Sequence, residues 1–276
     1  MPGKLDGKVV LITGAARGQG RSHALRLAEE GADILAIDIA AQVDSVQAPM
    51  ATPEDLALTV LGVEALGQRV AAYQADVRDY DGLNSAVGQG VDELGRLDIV
   101  LANAGIGIAP SPVDERMDRR AFDDLIAINL CGVRNTLQAA VPQMIQQGDG
   151  GAIVLTSSTQ GLSGRGGNGT GAMDGYVAAK HGVVGLMRSY ANWLAPHSIR
   201  VNSIHPTGVN TPMIMNDAFG AFAEQSPTFG SAMSNLLPVG VIEASDVSNA
   251  VAFLVSNDAR FITGVALPVD AGFMVK

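Results

Sequence analysis

Five short apolar runs constrain this chain more than any other feature: Val9-Val10-Leu11-Ile12, Ile34-Leu35-Ala36-Ile37, Ile99-Val100-Leu101-Ala102, Ala152-Ile153-Val154-Leu155 and Arg200-Val201-Asn202-Ser203-Ile204. They lack the apolar/polar alternation of a half-exposed strand, so they read as strands buried on both faces. Stretches with helical spacing lie between them, for example His23 to Glu29 and Asp246 to Leu254. Alternating strand and helix implies a doubly wound parallel sheet with helices on both faces and right-handed crossovers. With 276 residues, 47% of them hydrophobic, one α/β domain over 1–276 can bury a sufficient core.

Two stretches break the rhythm. The first runs from Ala40 to about Thr52, within an insertion at about 40–64, and a helix restarts at Thr52-Pro53-Glu54-Asp55: Thr52 caps, Pro53 takes the first helical position and Asp55 is the reciprocal acid. The second, at about 207–238, carries Met213, Met215, Phe219, Phe222, Phe229 and Met233. Such a segment suits a cover over a substrate, and equally a satellite core or a subunit contact.

A net charge of -10 with only 17% charged residues argues against nucleic acid or an anionic membrane surface as a partner. The segment Met1-Pro2-Gly3-Lys4-Leu5-Asp6-Gly7-Lys8 has no signal-peptide core, and no apolar run is long enough to span a bilayer, so a cytoplasmic protein is expected. The single cysteine, Cys131, sits in Leu130-Cys131-Gly132-Val133 and is expected to be a buried thiol. Histidines 23, 181, 197 and 205 are scattered, so no metal site is expected.

The first apolar run leads into Thr13-Gly14-Ala15-Ala16-Arg17-Gly18-Gln19-Gly20. Gly14, Gly18 and Gly20 permit a tight turn and let backbone amides approach a pyrophosphate at a helix N-terminus. Asp38 ends the second run, where a carboxylate can accept both ribose hydroxyls of an adenosine and repel a 2′-phosphate. The combination describes a Rossmann-type site for NAD. Arg17 points the other way, towards a 2′-phosphate, and is ranked below the fixed acid. Asp76-Val77 follows another apolar stretch and would lie at the adenine edge, and Asn103-Ala104-Gly105 supplies small residues beside the cofactor.

Tyr176 and Lys180 are four residues apart and share a helix face. Bringing a phenol from a pKa near 10 to about 7 takes roughly 4 kcal/mol of selective phenolate stabilisation, which a lysine cation and an oxidised nicotinamide can supply together. Upstream lie Thr156-Ser157-Ser158-Thr159-Gln160-Gly161 and Ile128-Asn129-Leu130.

In this order the glycine loop, Asn103-Ala104-Gly105, Asn129, Ser158, Tyr176 and Lys180 resemble the short-chain dehydrogenase/reductase superfamily along nearly the whole chain. The resemblance implies that Tyr176 is the general acid/base, Ser158 rather than Ser157 binds the substrate oxygen, Lys180 lowers the tyrosine pKa and holds the nicotinamide ribose, and Asn129 anchors a water next to Lys180. Pro206-Thr207-Gly208-Val209 and Thr211 match the segment that holds the nicotinamide carboxamide and phosphate. A homotetramer is likewise implied. The insertion, with Asp44-Ser45-Val46 and Glu64-Ala65-Leu66-Gly67, and the segments Tyr176 to Gly182, Ala191 to Pro196 and His205 to Val209 resemble the mycofactocin-coupled, carveol dehydrogenase-like group. That implies a firmly held NAD re-oxidised through mycofactocin and a small apolar alcohol or ketone as substrate. One departure stands out: Ser158 and Tyr176 are 18 residues apart, more than the superfamily pattern has, and the glycine-rich stretch from Gly164 to Gly175 is expected to absorb the excess as a bulged loop.

The leading expectation is hydride transfer between a secondary alcohol or ketone and tightly bound NAD. The alternatives are a conventional, exchanging NAD(P)-dependent ketoreductase and a non-catalytic NAD-binding protein. Dehydratase or epimerase chemistry is disfavoured because no arginine cluster for a nucleotide diphosphate is evident.

Overall fold

A computed structural model describes residues 3–109 and 115–276, without the side chains of 227–229. Met1, Pro2 and the Phe229 side chain, named above, lie outside the described part. Seven strands, β1 (Val9–Thr13), β2 (Asp33–Asp38), β3 (Val70–Gln74), β4 (Ile99–Ala102), β5 (Gly151–Thr156), β6 (Ile199–Pro206) and β7 (Ala266–Val269), form one sheet in the order β3-β2-β1-β4-β5-β6-β7. Every pairing is parallel, with Val10 beside both Ile34 and Ile99 and Ala152 beside both Ile99 and Arg200. The expected doubly wound Rossmann-type sheet is therefore present.

Strand residues alternate between two cores. Leu11, Leu35, Val100 and Ile153 pack with α3 (Tyr80–Leu94), α5 (Gly132–Gln147) and α6 (Gly171–Leu194), whereas Val10, Ile34, Leu101 and Val154 pack with α1 (Gly18–Glu29) and α9 (Ala244–Val255). Since neighbours in a strand point to opposite faces, both sets must be apolar, which explains runs such as VVLI. Each buried leucine or isoleucine is worth about 1.5–3 kcal/mol. The order reverses between β1 and β4, so a crevice opens at their carboxyl ends, where ligands bind in open α/β sheets.

The two interruptions take definite form in the structure. Helix α2 (Pro53–Ala65) is the ordinary crossover between β2 and β3 and starts with the expected capping box: Asp55 N donates to Thr52 Oγ1 at 3.3 Å and Thr52 N to the Asp55 carboxylate at 3.1 Å. The irregular part is therefore confined to 39–52. Beyond β6 the chain forms two short helices, α7 (Asp217–Gln225) and α8 (Pro227–Ala232), and returns through a parallel bridge between Val209 and Ile242.

Helix α4 (Glu115–Ile126) runs into α5 through a π-helical turn, Ala127–Cys131. There Cys131 is exposed, not buried as its apolar neighbours suggested. Buried Leu125, Ile128, Asn129, Gly132, Val133, Thr136 and Leu137 keep helical spacing through this segment, and Cys131 falls on the face opposite to them.

Candidate active site

Helix α1 begins without a side-chain cap: Arg17 occupies the N-cap and its side chain makes no capping hydrogen bond. In α2, α3, α6 and α7 the corresponding Thr52, Asp79, Thr170 and Asn216 all accept one. The first amides of α1 therefore face the crevice and favour an anion. Glycine is needed where this loop is tightest. Gly14 has φ +71° and a Cβ there would lie 2.8 Å from Ala104 Cα, while a Cβ on Gly20 would lie 1.9 Å from Gly14 O. The Gln19 Oε1 atom is buried without a partner beside the same amides.

Asp38 is 7% exposed, so its carboxylate is fixed: one oxygen accepts from Ala16 N at 2.9 Å and the other from Ala40 N at 2.8 Å. Arg17 Nη1 donates to Pro49 O at 2.8 Å in the insertion, with its charge still within reach of Asp38. Asp76 lines the crevice and is braced by Arg78 at 2.6 Å, with Val77 buried beside it against Gly132. Asn103 Nδ2 donates to Thr13 O at 3.1 Å, which holds Asn103-Ala104-Gly105 across the end of β1. On the opposite wall Thr211 faces Gly18, and Val209 is buried.

The insertion forms part of this wall. Val43, Met50 and Ala51 line the crevice, and the segment is fastened from outside: Ser45 Oγ donates to Asp124 at 2.6 Å, Asp44 pairs with Arg120 at 2.8 Å, and Gln47 exchanges hydrogen bonds with the Ala109 backbone at 3.1 and 3.3 Å. Sequence reading missed Gln47, because its partner is 62 residues away and nothing local marks it.

At the inner end of the crevice Ser158, Tyr176 and Lys180 come together. Ser157 and Ser158 are separated in function by their hydrogen bonds: Ser157 Oγ donates to Lys180 O at 2.9 Å and is committed to α6, whereas Ser158 Oγ accepts from Gln160 N at 3.1 Å and meets the Tyr176 phenol. The loop with positive φ at Gly164, Gly166 and Gly169 takes up the additional residues between Ser158 and Tyr176. Burial pushes the Tyr176 phenol above its usual value, and the Ser158 hydroxyl draws it back. Lys180 does not by itself bring the phenol down. Its Nζ is 5.6 Å from the Tyr176 ring and donates to Thr156 O at 2.9 Å, and burial lowers its pKa to about 8.

Asn129, in the π-helical turn, is wholly buried and clamps Ile106 through both ends of its amide, at 2.8 and 2.9 Å. Gly105 threads between Asn129 and Lys180, where an added Cβ would lie 3.1 Å from Asn129 Oδ1 and 3.6 Å from Lys180 Nζ. The whole crevice has a volume of about 440 Å³, and beyond these groups it has an apolar lining that includes Ile106, Ile108, Met173, Met213, Phe219 and Met233. The sequence pattern identified Met213, Phe219 and Met233. It gave no hint of Ile106, Ile108 or Met173, whose approach to the cavity depends on tertiary packing.

An open parallel sheet with an uncapped glycine loop at its switch point, and a serine, tyrosine and lysine at the end of the same crevice, defines a nucleotide-dependent oxidoreductase scaffold. The short chain dehydrogenase model matches residues 8–219, and the chain belongs to that family. It is 49% identical over 281 residues to (-)-trans-carveol dehydrogenase of Rhodococcus erythropolis, covering 99% of both chains. Carveol dehydrogenase from Mycobacterium avium, solved in complex with NAD, superimposes with a TM-score of 0.90 at 47% identity, over 99% of this chain and 100% of the other. A short chain dehydrogenase from Mycobacterium paratuberculosis bound to NAD gives 0.91 at 43% identity, with the same coverage.

Proposed function

We propose that the protein is an NAD-dependent dehydrogenase that interconverts an apolar secondary alcohol and its ketone, with tightly held NAD re-oxidised through mycofactocin. The single observation carrying the chemistry is the meeting of Ser158, Tyr176 and Lys180 beside an apolar cavity at the end of the nucleotide crevice. Bound NAD supplies the hydride acceptor. The protein's own groups do the rest.

Ser158 keeps the substrate oxygen next to the phenol. Tyr176 Oη takes the alcohol proton in oxidation and returns it in reduction. Lys180 makes no ion pair among the described residues, so its charge is free to stabilise the phenolate, and it reaches the nicotinamide ribose from the same place. Asn129 holds Gly105 and Ile106 against Lys180 and anchors a water beside it.

The amides of Gly14, Arg17, Gly18, Gln19 and Gly20 hold the pyrophosphate, and the uncapped α1 fits that role. Asp38 takes the adenosine ribose, Asp76 and Val77 the adenine edge, Asn103, Ala104 and Gly105 the middle of the cofactor, and Val209 and Thr211 the nicotinamide end. Since Arg17 is engaged by Pro49, Asp38 sets the preference for NAD over NADP. Several fastenings of the insertion support slow NAD release, and with it mycofactocin as electron partner. The exposed Phe261 and Val265 near edge strand β7 support a homotetramer, and a small apolar substrate in the cytoplasm completes the reading.

Tyr176→Phe tests the chemistry. Single-turnover oxidation of (-)-trans-carveol should fall by about 10²- to 10⁴-fold, while NAD affinity stays within a factor of two or so of the unaltered protein. Retention of near-normal transfer refutes the role of Tyr176.

A further inference from the structure

The ladder between β5 and β6 ends one residue before the site. Its last backbone rung runs from Ser157 N to Ile204 O at 2.9 Å. In a parallel ladder the next rung would run from residue 206 N to Ser157 O, and Pro206 has no N–H, so the backbone pairing stops short of Ser158. The carbonyl of Ser158, at the end of the strand, instead accepts from the side chain of His205, whose Nδ1 lies 2.8 Å away. A carbonyl can only accept, so Nδ1 carries the hydrogen. The Nε2 atom, 2.8 Å from Ser203 Oγ, then accepts from that hydroxyl. His205 has no exposed surface, and burial lowers its pKa to about 4, so the ring is neutral and fixed at both nitrogens.

Ser158 is extended, with φ −166° and ψ 164°, and its Oγ accepts from Gln160 N. Its own hydrogen is therefore free for the phenol of Tyr176. Two restraints, one on the carbonyl and one on the hydroxyl oxygen, determine where that hydrogen points.

We infer that His205 is a positioning residue for Ser158: by fixing the Ser158 carbonyl where the backbone ladder has ended, it holds the serine hydroxyl against Tyr176. The inference rests on the proposed function and adds a residue to it that touches neither substrate nor cofactor. Lys180 and His181 are the titratable side chains whose charge bears on His205, and Lys180 also faces Tyr176. Replacing the neutral ring with leucine changes no charge among them.

Ultraviolet difference titration of the NAD-loaded protein, with Tyr176→Phe as the blank, reads the Tyr176 phenol without needing a substrate. His205→Leu should move that titration upward, as Ser158→Ala should, and the double variant should move it no further than Ser158→Ala alone. Single-turnover oxidation of (-)-trans-carveol should slow by about 10- to 100-fold in His205→Leu. His205→Asn can present an amide donor near the Nδ1 position and should recover part of the loss, more than His205→Gln, whose donor falls near Nε2. This order keeps the test decisive if His205→Leu does not fold. An unmoved titration in His205→Leu, a double variant shifted beyond Ser158→Ala, or His205→Gln outperforming His205→Asn overturns the inference. If Ser158→Ala itself leaves the titration unmoved, the pairing of Ser158 with Tyr176 falls, and the inference falls with it.

Discussion

The two covers of the crevice are built differently. The adenosine side is closed by residues 39–52, with Val43, Ser45 and Ala51 buried and polar fastenings to Arg17, Ala109, Arg120 and Asp124. The substrate side is closed by α7 and α8. No residue of α7 is buried, and this segment is held by contacts such as Thr207 Oγ1 to Asn235 Oδ1 at 2.7 Å and Gln160 Nε2 to Met233 Sδ at 3.2 Å. Few buried apolar contacts mean a low free energy of local opening. The molecule is thus firm on the Asp38 side of the crevice and loose on the side of the apolar cavity.

The largest effect on this contrast is expected at Asp38. Asp38→Ala leaves the amides of Ala16 and Ala40 without their acceptor and removes the charge that repels a 2′-phosphate, so the preference for NAD over NADP should shrink by about 1–3 kcal/mol. Paired dissociation constants for the two nucleotides measure it, and an unchanged ratio removes Asp38 from the ribose site. Next comes unfastening the firm cover. Ser45→Ala with Gln47→Ala should cost about 0.5–1.5 kcal/mol per lost hydrogen bond and speed escape of labelled NAD several-fold. Equal escape rates in variant and parent would show that this cover does not retain the cofactor.

The loose cover should respond in the opposite manner. Met233→Ala is expected to raise KM for (-)-trans-carveol by a few-fold, through loss of about 1 kcal/mol of apolar contact, with NAD release unaltered. A change in NAD release instead would mean that the two covers move as one. The smallest effect is a shared one. His23 and His205 are buried as neutral rings with pKa values lowered from 6.5 to about 4, so the unfolded chain binds more protons between these values. Stability is complete above about pH 6.5 and declines as pH falls towards 4. Replacing His23 with glutamine should flatten the fall in Tm across that window, and an unchanged slope would exclude His23 as a source.

Much of the fold and of the nucleotide site was legible because the signals are local. Period-two burial on both sheet faces, the glycines from Gly14 to Gly20 and the i, i+4 spacing of Tyr176 and Lys180 each declare themselves within a few residues. The capping box at Thr52 marked the start of α2 and with it the end of the irregular stretch after β2. The remainder depends on distant partners. Cys131 lies in an apolar run but on the outer face of a helix whose buried stripe passes through Asn129, Gly132 and Val133, and α7 and α8 are too short for periodicity to reveal. His205 had a partial signal: Ser203 and His205 are alternate polar residues in an otherwise buried strand, which must satisfy each other or a neighbour.

The missing cap on α1 ties the life of the protein to its supply of nucleotide. A helix whose first amides await an anion is completed only by a ligand, and a ligand that binds the folded chain alone shifts the folding equilibrium by mass action. At a hundred times its dissociation constant such a ligand contributes about 2.7 kcal/mol, comparable to losing or keeping a large core side chain. Chains made when nucleotide is scarce would spend more time unfolded and be removed faster by proteases, so the amount of enzyme would follow the amount of its own cofactor.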